Sequence, residues 1–113
     1  MRKIIVGAFV SMDGVMQAPG GPTEDPTKGF KFGGWVTPYF DQDFGEEVDR
    51  MFNEKFDLLL GRKTYEIFAA HWPYAEGGPD DGIAKLFKEI KKYPVSRSGD
   101  VDTSWSGTVL LRD

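Results

Sequence analysis

Phe56-Asp57-Leu58-Leu59-Leu60-Gly61-Arg62-Lys63-Thr64-Tyr65-Glu66 is an apolar, strand-like run that halts at a glycine and turns at once into a helical pattern. A strand feeding a helix through one glycine leaves the first helical N–H groups without backbone partners. Those groups attract anions, and the helix macrodipole adds to the attraction. Arg62 and Lys63 place two cations at the same end, where positive charge is ordinarily unfavourable. The arrangement suggests that something negative is expected there. A phosphorylated ligand fits, and a nucleotide is the natural candidate.

The rest of the chain bounds that reading. It has 113 residues, enough for one domain with a real core, and its apolar share of 40% is ordinary. Fourteen basic against eighteen acidic residues give a net charge of −4. With no long basic run, nucleic acid is not the expected partner. No cysteine is present, which excludes disulfides and thiolate metal sites. His71 is the one histidine, no ligand spacing surrounds it, and no metal is expected. The opening Met1-Arg2-Lys3-Ile4-Ile5-Val6 is too short an apolar run for a signal peptide or a membrane span, so a cytoplasmic protein with no membrane partner is the default.

Residues 3–10 form a continuous β-branched apolar run that reads as a central strand buried on both faces. Residues 14–38 are rich in glycine and proline, a long loop of the kind that often serves as a lid or binding loop. This loop carries Phe30, Phe32 and Trp35, which suit a flat ligand ring or, equally, tack the loop to the core. Residues 39–56 read as a helix with Phe40, Phe44, Val48, Met51 and Phe52 on one stripe. A short strand at 57–60 precedes a helix at 62–72, which Pro73 ends. Residues 83–90 form an amphipathic helix, 93–96 a strand entered through Pro94, and 108–111 a fourth strand. Alternating strands and helices predict an α/β fold with a mostly parallel sheet and flanking helices.

In an open parallel sheet, ligands sit at the carboxyl ends of the strands. The first predicted strand is followed by Ser11, Met12, Asp13 and Gly14, the second by Gly61, Arg62, Lys63 and Thr64, and the third by Arg97 and Ser98 with Ser96 at its end. Two of these tips join a cation to a hydroxyl. Arginine offers bidentate contact to phosphate, and the hydroxyls add neutral hydrogen bonds. Solvated surface charge is the bland alternative for Arg62 and Arg97. The chain has no G-x-x-x-x-G-K-[ST], no G-x-G-x-x-G after a strand and no G-x-S-x-G elbow.

At these residues the chain resembles the dihydrofolate reductase-like superfamily, in the bacterial branch grouped with the C-terminal reductase domain of the bifunctional riboflavin biosynthesis enzyme. The likeness is carried by residues 3–14, 56–66 and 93–98 and by the loop Gly29-Phe30-Lys31-Phe32-Gly33-Gly34-Trp35, and it spans essentially the whole chain. It implies a three-layer α/β fold and NADPH as cofactor. Gly61, Arg62, Lys63 and Thr64 would bind the adenosine and phosphate end. Ser96, Arg97 and Ser98 would recognise the adenine ribose and its 2′-phosphate. Ala8, Asp13 and Gly14 would line the nicotinamide. Phe32 and Trp35 would close over the substrate.

Two departures qualify the resemblance. The family normally continues past a strand like 108–111 with a glycine-rich turn that grips the diphosphate and with further strands, whereas this sequence stops at Asp113. A fragment, a sheet completed by partner chains, or a degenerate protein would each explain it, and an open sheet edge there is an aggregation liability unless covered. A homodimer or higher oligomer is therefore expected. The second departure is the substrate acid, for which Asp41, Asp43, Glu46, Glu47 and Asp49 compete. Asp41 falls within the apolar arc of Phe40 and Phe44 and is the catalytic candidate, beside the plainer reading of an acidic residue in a first helical turn. The expected function is an NADPH-dependent reductase acting on a C=N or C=O group of a pterin-, pyrimidine- or ribityl-type small molecule. The alternatives are a non-catalytic, oligomerising half-domain with weak or no nucleotide binding and, less well supported, a phosphate-binding hydrolase using the paired acids of the first helix.

Overall fold

A computed structural model describes residues 2–112. The chain divides into two compact units, Met1–Met51 and Phe52–Asp113.

The second unit holds the sheet. Strand β1 (Leu58–Gly61) pairs in parallel with β2 (Lys92–Val95), with Leu58 opposite Lys92 and Gly61 opposite Val95. A third segment, 108–111, lies parallel to β2 through bridges at Lys92–Thr108 and Val95–Leu111. Its bonds run from Lys92 N to Gly107 O at 2.9 Å, Val109 N to Lys92 O at 2.8 Å, Leu111 N to Pro94 O at 2.9 Å and Ser96 N to Leu111 O at 3.1 Å. One bond of that ladder is missing, because Pro94 has no N–H to give to Val109 O. The expected fourth strand is therefore two bridges instead of a continuous ladder. Pro94 sits third in the middle strand and is fully buried, where the sequence placed it near a strand's start.

Helix α2 (Arg62–His71) follows β1 without a linker. It stops where expected, since Pro73 opens a 3-10 turn at Trp72–Tyr74. Helix α3 (Asp81–Glu89) starts two residues before the predicted 83–90, with the Ala84 amide on Asp80 O at 3.0 Å, and the Asp81 carboxylate accepts the Gly77 amide of the preceding loop at 2.7 Å. That amide bond and the Lys85 ammonium hold the Asp81 carboxyl below its ordinary range. Leu58, Leu60, Lys92 and Pro94 share the sheet face turned to the core, and Leu59 and Val95 face away. The core itself is aromatic. Tyr65, Phe87 and Trp105 are buried, and Phe68, Trp72 and Phe52 lie 5.9, 5.1 and 5.6 Å from the Phe87 ring.

Lys92 is the unexpected core residue. It has 0% exposure, and its ammonium donates to Phe87 O, to Ile90 O at 3.0 Å and to Lys88 O at 3.4 Å, while lying 4.4 Å from the centre of the Trp105 ring. It caps the carbonyl end of α3, where the macrodipole favours a cation. Burial nonetheless pushes its pKa down to about 8. Tyr65 ties α2 to the same region. Its hydroxyl donates to Asp102 O at 2.8 Å and shares a 3.0 Å bond with the Thr108 hydroxyl.

The first unit departs most from expectation. Residues 3–10 form no strand and lie exposed, with Ile4, Ile5 and Val6 each more than four-fifths accessible. A strand is stable only when a neighbour takes its N–H and C=O groups, and none of the described segments does so. The predicted 39–56 helix is shorter. Helix α1 (Gln42–Met51) follows a 3-10 turn at Thr37–Tyr39. Phe44 meets Phe40 at 4.7 Å and Phe9 at 5.5 Å, and Val48 is buried. Phe52 leaves the stripe and stacks on Phe56 in the second unit.

The glycine-rich loop is closed by its own bonds. Trp35 Nε1 donates to Gln17 O at 2.9 Å, Gln17 Nε2 donates to Asp25 O and Thr27 O, and Gly34 N reaches Ala18 O at 2.8 Å. Glu24 accepts the amides of Gly20 and Gly21. A methyl group at Gly33 would come within 2.6 Å of Pro22 O, so only glycine allows the two strands of the loop to touch. This is a compact loop packed on itself.

Candidate functional site

Parallel strands finish on the same side of a sheet, so β1 and β2 deliver their following residues to one edge. Gly61 stands at the N-terminus of α2 with φ −65° and ψ 158° and offers no side-chain cap. It has open space where a side chain would begin, which leaves the first amides of α2 approachable. Arg62, the first helical residue, donates through Nε to Glu66 Oε1 at 2.9 Å and through Nη1 to Ser98 Oγ at 3.2 Å. The Glu66 hydrogen bond, then its charge, and the charge of Asp100 raise the Arg62 pKa above its ordinary value. Ser98 Oγ lies 3.3 Å from Ser96 Oγ and accepts the Asp100 amide at 3.2 Å. Ser96 is buried, while Lys63, Thr64, Arg97 and Ser98 are exposed.

The two strand exits therefore meet through the Arg62–Ser98 bond. Chemically they present the Arg62 guanidinium, the Ser96 and Ser98 hydroxyls and the N-terminus of α2 around one edge, a donor set suited to a phosphate. Glu66 occupies the Arg62 Nε, so a ligand phosphate would find the fork partly satisfied.

The sequence reading missed three participants. Glu66 was legible as an i,i+4 partner of Arg62. Asp100 lies two residues past Ser98, outside the strand tip itself. Arg112 follows the third parallel segment, whose exit carries no hydroxyl or glycine beside the cation. Its side chain lies against Gly99, whose φ is +69°, and a methyl group there would meet Arg112 Nε at 2.7 Å and Cζ at 2.8 Å.

The remaining candidates belong to the first unit. Asp13 accepts the Ser11 hydroxyl in a turn that Gly14 completes with φ +90°, and Ala8 is exposed. Phe32 is largely exposed and meets Phe30 edge-on at 5.9 Å, whereas the Trp35 indole N–H is spent on Gln17 O. Asp41 precedes α1, where its Oδ1 accepts the Phe44 amide at 2.9 Å and its backbone carbonyl accepts the Gly45 amide. That is N-cap geometry. A separate groove of about 390 Å³ in the second unit, lined by Tyr74, Lys88, Asp102 and Trp105 among others, includes none of the strand-exit residues. It gathers no hydroxyl–guanidinium set, so the strand exits remain the chemically richer place.

A family model described as the RibD C-terminal domain matches residues 2–113. The chain belongs to the RibD C-terminal domain family. A search of curated proteins finds no match. The parallel α/β arrangement of the second unit agrees with this membership. Membership of this family suggests a reductase-type domain of riboflavin biosynthesis. No helix among the described residues is long and apolar enough to cross a membrane.

Proposed function

We propose that this protein is an NADPH-dependent reductase that transfers hydride to a C=N or C=O group of a pterin-, pyrimidine- or ribityl-type small molecule. The observation that carries the reading is the 3.2 Å bond from Arg62 Nη1 to Ser98 Oγ, which joins two cationic strand exits at a helix N-terminus. The donor set fits a dinucleotide's phosphates. Arg62, Thr64 and the first amides of α2 would hold one phosphate, with Lys63 adding charge. Ser96, Arg97 and Ser98 would hold the phosphorylated ribose. NADPH, when bound, supplies the hydride. The protein's share is binding and orientation, which convert an encounter between two small molecules into a positioned reaction.

Residues of the first unit enter by family likeness. Ala8, Asp13 and Gly14 are assigned to the nicotinamide, and Phe32 and Trp35 to the substrate. Asp41 is assigned to hold or protonate the substrate ring through the carboxylate oxygen that does not cap α1.

Titrating NADPH into the protein and following nicotinamide fluorescence tests the reading. Saturation at micromolar NADPH, weakened in Arg62→Ala by about 1–3 kcal/mol, supports it, since a charge-assisted contact is of that size. An unchanged dissociation constant in Arg62→Ala removes Arg62 from the site. A second reading, a non-catalytic oligomerising domain, is favoured by the exposed Ile4, Ile5 and Val6 and by the apolar residues Leu59, Val95, Val109 and Leu111, each at least two-fifths exposed. Absence of saturation below millimolar NADPH, with a concentration-dependent molar mass in light scattering, selects it.

A further inference from the structure

We propose that Arg112 is a third phosphate-binding arginine and that it makes the strand exits selective for a phosphate monoester; this rests on the reading that these exits hold a nucleotide's phosphates. The sequence contains five arginines, Arg2, Arg50, Arg62, Arg97 and Arg112, and three of them stand just past the ends of three adjacent parallel segments. Residues 108–111 run beside β2 with Leu111 N on Pro94 O and Ser96 N on Leu111 O. Those bonds set Leu111 opposite Val95, so Arg112 leaves the sheet level with Ser96, one residue ahead of Arg97.

The backbone at Gly99 is shaped around Arg112. Glycine adopts the positive φ at that position without the strain a side chain would bring, and the missing Cβ leaves the space that the Arg112 side chain occupies. Gly99 adjoins Ser98, the residue that accepts from Arg62. The guanidinium groups of Arg62 and Arg112 thus abut two consecutive residues. Glu66 and Asp100 supply negative charge beside Arg62.

The chemistry of the ligand follows from the number of forks. A phosphate diester offers two terminal oxygens and a single negative charge. A monoester offers three terminal oxygens and about −1.5 to −2 charges at pH 7. Arg112 adds a second planar fork to the Ser96–Arg97–Ser98 exit, and two forks are matched better by the three oxygens and higher charge of a monoester than by a diester. In the nucleotide proposed here the monoester is the 2′-phosphate, so Arg112 joins Arg97 in separating phosphorylated from unphosphorylated dinucleotide.

The test is fluorescence titration of the full chain with NADPH and with NADH, using wild type, Arg112→Gln, Arg112→Lys and Arg62→Ala. The expected result is a loss of about tenfold in NADPH affinity for Arg112→Gln, an NADH affinity within twofold of wild type, and a smaller NADPH loss for Arg112→Lys, which keeps the charge and lacks the fork. Wild-type NADPH affinity in Arg112→Gln, with Arg62→Ala still weakened, overturns the role of Arg112 and leaves the nucleotide reading standing. Equal losses for NADPH and NADH overturn the monoester selectivity. No saturation by NADPH in the wild type overturns both. Far-ultraviolet circular dichroism of each variant, superimposable on wild type, secures the comparison.

Discussion

Arg62 illustrates how one side chain serves stability and ligand chemistry at once. Its ion pair with Glu66 is half-exposed, so it contributes little to stability. Its value is positional, since the same guanidinium reaches across to Ser98. Arg97, exposed beside Ser96 and Ser98, follows the same logic with a narrower target. Arg97→Ala should weaken NADPH binding more than NADH binding, because only NADPH carries the 2′-phosphate, and equal losses in parallel titrations would contradict that role. Asp41 is separable by a conservative change. Asparagine caps a helix as well as aspartate does, so Asp41→Asn should leave the thermal midpoint of unfolding unchanged. If its carboxyl handles the substrate proton, turnover should fall by about 100-fold or more. Unaltered turnover would leave Asp41 with its cap alone. The bond to the Phe44 amide was foreshadowed by the plainer reading of Asp41 as an acidic first-turn residue. Arg112 was readable in principle, by the same rule that singled out Arg62 and Arg97, once 108–111 is treated as one more parallel strand.

At the scale of elements, the turn from β1 into α2 behaves as its residues dictate. Apolar Leu58 and Leu60 face the core, Gly61 breaks the strand and Arg62 starts the helix with no residue between. The strand around Pro94 shows the opposite case, where a local rule met a tertiary demand. Pro94 costs β2 one ladder bond and still holds the centre of the sheet, because its ring is fully buried and its carbonyl pairs with Leu111. Pro94→Val supplies an N–H directed at Val109 O. That new amide should exchange with solvent slowly, as ladder amides do, and fast exchange at position 94 would show that the gap in the ladder has another cause. The loop at 14–38 was legible as a loop from its glycines and prolines. Its inner closure through Gln17 was not, since the bonds from Gln17 to Asp25, Thr27 and Trp35 follow from packing that no spacing encodes.

On the scale of the molecule, the core of the second unit joins residues far apart in the chain. Tyr65 reaches Asp102 and Thr108, and Lys92 closes α3 beneath Trp105. Lys92 has a consequence for pH. Its folded pKa, about 8, lies below the ordinary lysine value of 10.5. Between these values the unfolded chain binds more protons than the folded one, so this residue makes stability rise as pH increases from about 8 to about 10.5. Urea titrations across that range should show the rise in wild type and its loss in Lys92→Met, after subtraction of the titrations common to both. Parallel profiles for the two proteins would refute the buried, depressed ammonium.

By itself the sequence determined the order of β1, α2, α3 and β2, the parallel sense of the sheet, the helix stop at Pro73 and the cationic exits at Arg62 and Arg97. These signals are local, because periodicity, turn residues and caps act within a few positions. Tertiary structure decided the rest. It left residues 3–10 exposed despite their buried-strand pattern, for a strand needs a partner that its own residues cannot provide. It buried Lys92, which sequence rules place on the surface, because the carbonyl end of α3 and the Trp105 ring happen to converge on its ammonium. It also set Arg112 against Gly99, a meeting that depends on strand register and on a backbone angle and is visible in neither residue alone.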